Sequence, residues 1–161
     1  EDLIAGGVKE LIHVGYAGGL QPELVPGEII LTDGAFNDTA VARLYGYDYD
    51  IIHSSKDLTN EIEEMITSAE ILYKRGIHWT TDAGYRETWG QVMDYRDKGA
   101  LCVEMEGVGL FTIANYRKCV ATGIYVVSDV YLEDDWKLGW EGNDIKKAVG
   151  EIIDMIIKSI R

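Results

Sequence analysis

Short apolar runs of strand length alternate along this chain with segments of helical period, and that alternation restricts its fold more than any other feature. Leu11 to Val14, Glu28 to Thr32, Ile77 to Thr81, Ala100 to Val103 and Val120 to Ser128 are β-rich and mostly bounded by Gly, Asp or Asn, which predicts strands. Ile62, Met65, Ile66, Ala69, Leu72 and Tyr73 recur at helical spacing and stop at Gly76, with Lys74 and Arg75 in the last turn, where a cation suits the helix dipole. Thr88 followed by Gln91 has the form of a capping box and opens a second helix that ends at Gly99. A third is predicted from about Glu106 to about Arg117. The last runs from about Asn143 to Ile160, with Ile145, Val149, Ile152, Ile153, Ile156 and Ile160 on one stripe. Strands alternating with helices in this way need a parallel or mixed sheet covered on both faces, so the predicted class is α/β. Phe36 to Lys56 and Tyr131 to Asn143 fall outside the pattern and are read either as loops over a site or as contacts to another subunit.

At 161 residues the chain is read as one domain, 1–161, large enough for a real core. Its formal charge of -13, with no Lys/Arg-rich run, repels phosphate backbones and anionic lipid, so neither nucleic acid nor a membrane surface is an expected partner. A small substrate held by a few local donors fits better. No apolar run approaches the roughly 18 residues needed to span a bilayer. Cys102 and Cys119 sit in apolar surroundings without a CxxC pair and are read as core residues in a reducing, cytoplasmic setting. His13, His53 and His78 lack metal-ligand spacing, so no metal is expected. The chain opens at Glu1 without Met, in a stretch (EDLIAGGVKE) that reads as the end of a helix running into a strand; it is expected to be incomplete at its amino terminus.

Four segments carry polar residues at predicted strand ends, where the ligand crevice of an open α/β sheet lies. Gly15-Tyr16-Ala17-Gly18-Gly19 is either an ordinary Gly-rich turn or one that aims backbone N–H groups at a phosphate; it is neither a P-loop nor a dinucleotide fingerprint. In Glu104-Met105-Glu106 two carboxylates flank a Met as a strand passes into a helix. They are either dipole partners or, at Glu104, a buried charge able to grip sugar hydroxyls. Ser128-Asp129 ends an apolar strand, and Asp129 is either a cap or a general acid with its pKa raised by partial burial. In Thr80 to Thr88, Tyr85 either stacks on a base or packs, and Arg86 either orients a carbonyl or phosphate or pairs with Glu87 or Asp82.

Taken together, VKELIHVGYAGGLQPELVPGEIILTDGAF, TTDAGYRET, VEMEG and VVSD resemble the nucleoside phosphorylase family, which includes purine nucleoside phosphorylase, uridine phosphorylase and the adenosylhomocysteine/methylthioadenosine nucleosidases. The resemblance implies a three-layer α/β sandwich with a central mixed, partly barrel-like sheet flanked by helices. It implies that Glu106 binds the ribose hydroxyls, that Met105 packs on the sugar and that Glu104 neighbours them. Gly15 and Tyr16 fall in the family's phosphate-binding turn, with His13 two residues before the glycine. Tyr85 matches an aromatic position beside the nucleoside, Arg86 and Ser128 join it around the base, and Asp129 matches the acid that protonates a purine leaving group. The implied reaction is phosphorolysis of a uridine or purine nucleoside to free base and ribose 1-phosphate, with phosphate as co-substrate and no cofactor, in a homo-oligomer (a dimer or a trimer of dimers). The chain departs from the pattern at several positions. His13 stands where phosphorylases usually carry Arg, and Tyr16 where they carry Ser or Thr. Lys137 is the only cation near the place of a frequent Arg, and Thr88 and Gly90 replace the Gln and Arg that read uracil. A hydrolytic nucleosidase and an inactive nucleoside-binding subunit therefore stay open as alternatives.

Overall fold

The computed structural model describes residues 1–132, 136–139 and 142–159, with the backbone alone for 136–138. In chain order the elements are α1 (Asp2–Ala5), β1 (Glu10–Gly19), β2 (Ile29–Asp38), α2 (Val41–Leu44), β3 (Ile51–His53), α3 (Lys56–Ser68) and β4 (Tyr73–Thr81). A 3-10 turn (Gly84–Arg86) follows, then α4 (Trp89–Asp97), β5 (Cys102–Glu104), α5 (Gly107–Arg117), β6 (Val120–Tyr131), β7 (Trp136–Leu138) and α6 (Asn143–Ser159).

Among the described residues the strands form one sheet in the order β3-β2-β4-β5-β1-β6-β7. A further pairing sets Ile29, Ile30 and Leu31 of β2 opposite Val126, Tyr125 and Ile124 of β6, closing β2, β4, β5, β1 and β6 into a barrel. The sheet is mixed: β1/β6, β2/β4 and β4/β5 are parallel, whereas β1/β5 and β2/β6 are antiparallel. Side chains alternate across it with the period of two that strands impose. Ile29, Leu31, Ile124 and Val126 face α3 and α6, packing on Leu58, Ile62, Ile66, Ile145, Ile152 and Met155. Ala121 faces the other way, into a cluster with Val108, Phe111 and Ala114 of α5 and Ala42 of α2. Ile30, Tyr125 and Val127 meet Ala17 and Cys102 in a third cluster. Helices therefore cover both faces of a mixed, barrel-like sheet, the expected layering.

Local signals that stay within one element were legible. The Thr88–Gln91 capping box is present in both directions at the start of α4. Cys102 and Cys119 are both buried and free. Among the described residues no helix is long and apolar enough to cross a membrane.

Other expectations need correction. The helix predicted to run through Tyr73 ends at Ser68, because Glu70 adopts a left-handed backbone (φ 56°) and the chain then enters β4 beside β2. Lys74 and Arg75 thus sit in a strand, paired with Glu28 and with Asp33 and Glu63, and cap nothing. Gly15 to Gly19 form no turn: all five residues continue β1, in parallel register with β6. Part of the segment predicted as loop, Phe36 to Lys56, is the end of β2 together with α2 and β3. On α6 the buried stripe is Ile145, Ala148, Ile152 and Met155, with Val149 and Ile156 beside it and Ile153 exposed. Ile160 lies outside the described residues.

Candidate functional site

β5 is only three residues long and fully buried, so the charge at its end, Glu104, has to be paired where it stands. Its Oε2 accepts the backbone N–H groups of Glu106 (2.9 Å) and Gly107 (2.8 Å). Its Oε1 accepts the Thr80 hydroxyl (2.5 Å) and the Nε2–H of His78 (3.0 Å). Thr80 Oγ1 in turn accepts the N–H of Val108 at 3.2 Å. Burial by itself would raise the Glu104 pKa. The hydrogen bond and charge of His78, the Thr80 hydroxyl and the Glu106 N–H outweigh it and hold the carboxyl below its ordinary value.

These bonds satisfy from beneath the N–H groups that a helix start leaves without partners. Glu106, the N-cap residue of α5, therefore makes no side-chain capping bond, and its side chain is exposed. The two acids thus differ in what holds them. Glu104 has one oxygen committed to the turn and the other to Thr80 and His78 of β4, and offers no free edge to a sugar; Glu106 is the carboxylate presented outward. Behind them lies Tyr125, whose hydroxyl is pushed far up by burial first and then by the charge of Glu104 and a hydrogen bond to it. His13 Nδ1 stands 3.4 Å from that hydroxyl, its ring edge-on to the Tyr125 ring. His13 and the 104–106 turn accordingly converge on Tyr125.

Asp129 lies on a rung that crosses four strands. Trp79 of β4 is opposite Val103 of β5, Val103 opposite Gly18 of β1, and Gly18 opposite Asp129 of β6. Two strand spacings, roughly 10 Å, thus separate the backbone at Val103 from Asp129, a span on the scale of a nucleoside. Gly18 is required at this crossing, since a Cβ there would stand 2.9 Å from the Tyr131 ring, 3.3 Å from Asp129 Oδ2 and 3.4 Å from Val103. Ser128 donates its hydroxyl to Asp129 Oδ1 (2.5 Å) and so orients the acid. Tyr131 donates to Glu87 Oε2 at 2.7 Å. Burial raises the Glu87 pKa, the Tyr131 bond opposes that, and the charge of Asp129 adds to it. Gly84 lies between Met105 and Glu87: a Cβ on it would lie 3.6 Å from both Met105 Sδ and Glu87 Oε1.

The remaining candidates are placed less centrally. Gly15 and Tyr16 belong to a strand, but β1 pairs with β5 only at Gly18 and Gly19. From Glu10 to Ala17 its edge away from β6 has no strand partner among the described residues. The His13 imidazole folds over Gly15, where a Cβ would sit 3.3 Å from the ring. Tyr85 is fully exposed, so the packing alternative read from the sequence does not hold for it, and Arg86 is exposed as well. Glu87 is taken by Tyr131, and Asp82 accepts the N–H of Ala40.

His78, Thr80, Tyr125, Glu87 and Tyr131 complete the arrangement and were missed as functional residues. The available signal was an aromatic residue inside an otherwise aliphatic run, as at Tyr125 between Ile124 and Val126. A groove of about 1040 Å³ runs elsewhere, between the start of β2, the end of α3 and α6. It includes none of these residues, and convergent polar atoms mark a chemical site better than volume does. Among the described residues no group of three or more His, Cys, Asp or Glu could hold a metal ion.

A family model described as the phosphorylase superfamily matches residues 2–158. Over 125 residues the chain is 34% identical to the DeoD-type purine nucleoside phosphorylase of Exiguobacterium sibiricum, covering 76% of this chain and 53% of that protein. The DeoD-type enzyme of Bacillus cytotoxicus is 32% identical over 124 residues, with 76% and 53% covered. The chain thus spans about half the length of the curated relatives it matches. In fold it is similar to the purine nucleoside phosphorylase of Toxoplasma gondii solved in complex with immucillin-H, with a TM-score of 0.87, 20% identity, and 98% of this chain and 64% of that one covered. The Plasmodium knowlesi homologue of the Plasmodium falciparum enzyme gives a TM-score of 0.82 at 22% identity, covering 98% and 63%.

Proposed function

Because the chain belongs to the phosphorylase superfamily, we propose that the protein containing it cleaves the N-glycosidic bond of a purine or uridine nucleoside with phosphate, giving free base and ribose 1-phosphate. The observation that carries this reading is the outward carboxylate of Glu106, released from capping duty by Glu104 and Thr80. Breaking the bond builds positive charge on the sugar. A carboxylate gripping the ribose hydroxyls and a phosphate dianion nearby both stabilise that charge more in the transition state than in the ground state. The leaving base gathers negative charge, and Asp129, oriented by Ser128, is the group that would protonate a purine. Met105 would lie against the sugar between them.

Phosphate would be the only co-substrate and no cofactor is required. Its donors would be His13 and N–H groups on the open edge of β1. The net charge of -13 offers an anion no general attraction, so local donors have to hold it. A second reading, hydrolysis by water, is favoured by one observation: His13 occupies the place where phosphorylases of the family usually carry Arg. We also propose that the protein acts in the cytoplasm as a homo-oligomer.

The test is base release from inosine and from uridine by the full protein, with and without phosphate. We expect release to depend on phosphate and ribose 1-phosphate to accumulate, and Asp129→Asn to slow inosine more than uridine. Equal rates without phosphate would select hydrolysis, and no release under either condition would remove the enzymatic reading.

A further inference from the structure

We infer that His78 is a positioning residue for the Glu106 carboxylate, acting through Glu104; this rests on the reading of Glu106 as the ribose-binding group. His78 belongs to β4, away from the exposed rim, and its side chain is wholly inaccessible. One ring nitrogen, Nδ1, lies 2.6 Å from Thr32 Oγ1, and the other, Nε2, lies 3.0 Å from Glu104 Oε1. A carboxylate only accepts, so Nε2 carries the hydrogen of that contact. The ring is further held against Tyr125 (centroids 4.8 Å apart) and Phe111 (6.2 Å). It therefore has one orientation, and in that orientation it locks one oxygen of Glu104.

The other oxygen of Glu104 holds the N–H groups of Glu106 and Gly107, which are the residues whose backbone sets where the Glu106 side chain points. The route from imidazole to sugar-facing carboxylate is thus His78 Nε2, Glu104, the 106–107 backbone, Glu106. A second contact ties the same two places sterically. A Cβ on Gly107 would stand only 2.5 Å from His78 Nε2 and 3.0 Å from Glu104 Oε1, so the imidazole occupies space that any other residue at position 107 would fill. A carboxylate that must meet two vicinal hydroxyls tolerates little angular error, and a misplacement of about 1 Å can cost about 100-fold.

A merely structural histidine would affect melting temperature alone, so the test reads ribose recognition separately. In the full protein, binding of inosine and of 2′,3′-dideoxyinosine (uridine and 2′,3′-dideoxyuridine in their place if uridine is the nucleoside cleaved) is measured by calorimetry for the wild type, His78→Gln, His78→Leu, His78→Asn and Glu106→Ala, alongside Tm. The wild type is expected to prefer inosine at least tenfold. Glu106→Ala should abolish the preference, His78→Leu should cut it at least tenfold with dideoxyinosine binding unchanged, and His78→Gln, whose amide can still donate to Glu104, should restore most of it. His78→Asn is too short to reach Glu104 and should match His78→Leu, which keeps the test open if the leucine variant does not fold. Retention of the wild-type preference in His78→Leu or His78→Asn overturns the positioning role while the ribose reading of Glu106 stands. No preference in the wild type, or an undiminished one in Glu106→Ala, overturns that reading and this inference with it.

Discussion

Glu106→Ala is expected to lower kcat/KM for a ribonucleoside by about 10²- to 10⁴-fold while leaving Tm within about 2 °C of wild type, since two charge-assisted hydrogen bonds of about 1.5–3 kcal/mol each are lost at a position that supports no packing. The small stability effect follows from the division of labour at the start of α5. An ordinary N-cap side chain contributes about 1 kcal/mol to its helix. At Glu106 that contribution is absent, because the capping bonds come from Glu104 and Thr80. Glu106→Gln separates charge from shape: it can still hydrogen bond the hydroxyls but no longer opposes the positive charge on the sugar, so its loss should fall mainly in kcat. Kinetics on a ribonucleoside with Tm measured in parallel checks this. Wild-type kcat/KM in Glu106→Ala would discard the assignment.

Glu104→Leu should give the largest loss of stability of any substitution at the site, about 3–5 kcal/mol, as expected when one partner of a buried pair is removed. Four groups are then stranded together: the His78 imidazole, the Thr80 hydroxyl, the N–H of Glu106 and the N–H of Gly107. For a domain of this size that corresponds to a fall in Tm of roughly 6–20 °C. The same residue confers an acid dependence of definite sign. Because the folded-state pKa of Glu104 is held below the ordinary carboxylate value of 4.5, its contribution is fully present above that value and is lost as pH falls through the lower folded value. Wild-type Tm should therefore decline on acidification below about pH 4.5, and Glu104→Leu, already lacking the contribution, should decline less over the same range. Thermal melts of the two proteins between pH 3 and pH 7 check both statements; parallel curves would mean that Glu104 is not the paired carboxylate described above.

What the sequence made visible was local or carried by the joint resemblance of several motifs. The capping box at Thr88, the burial of both cysteines and the α/β alternation depend on neighbours in the chain, and each could be read there. The boundary between α3 and β4 could not, because Leu72 and Tyr73 continue a helical spacing while pairing with Ile29 and its neighbours in β2 pulls the chain into a strand. Gly15 to Gly19 looked like a turn because glycines usually mark one. Gly18 instead answers to Val103, Asp129 and Tyr131, which are far away in sequence. The roles of Glu104 and Glu106 were likewise blurred. Two acids one residue apart look equivalent until it is known that a threonine and a histidine from another strand engage the first of them. His78 itself read as an unremarkable strand residue, and only the missing Cβ of Gly107 shows how closely the two are fitted.

The most direct measurement is a crystal structure of the full protein with a bound, uncleaved ribonucleoside. Both ribose hydroxyls are expected within about 2.6–3.2 Å of the Glu106 carboxylate, with Met105 against the sugar and the base extending toward Asp129 on the far side of the rung through Val103 and Gly18. A nucleoside lodged in another part of the molecule, or one whose sugar turns away from Glu106 while its base never approaches Asp129, would contradict this placement.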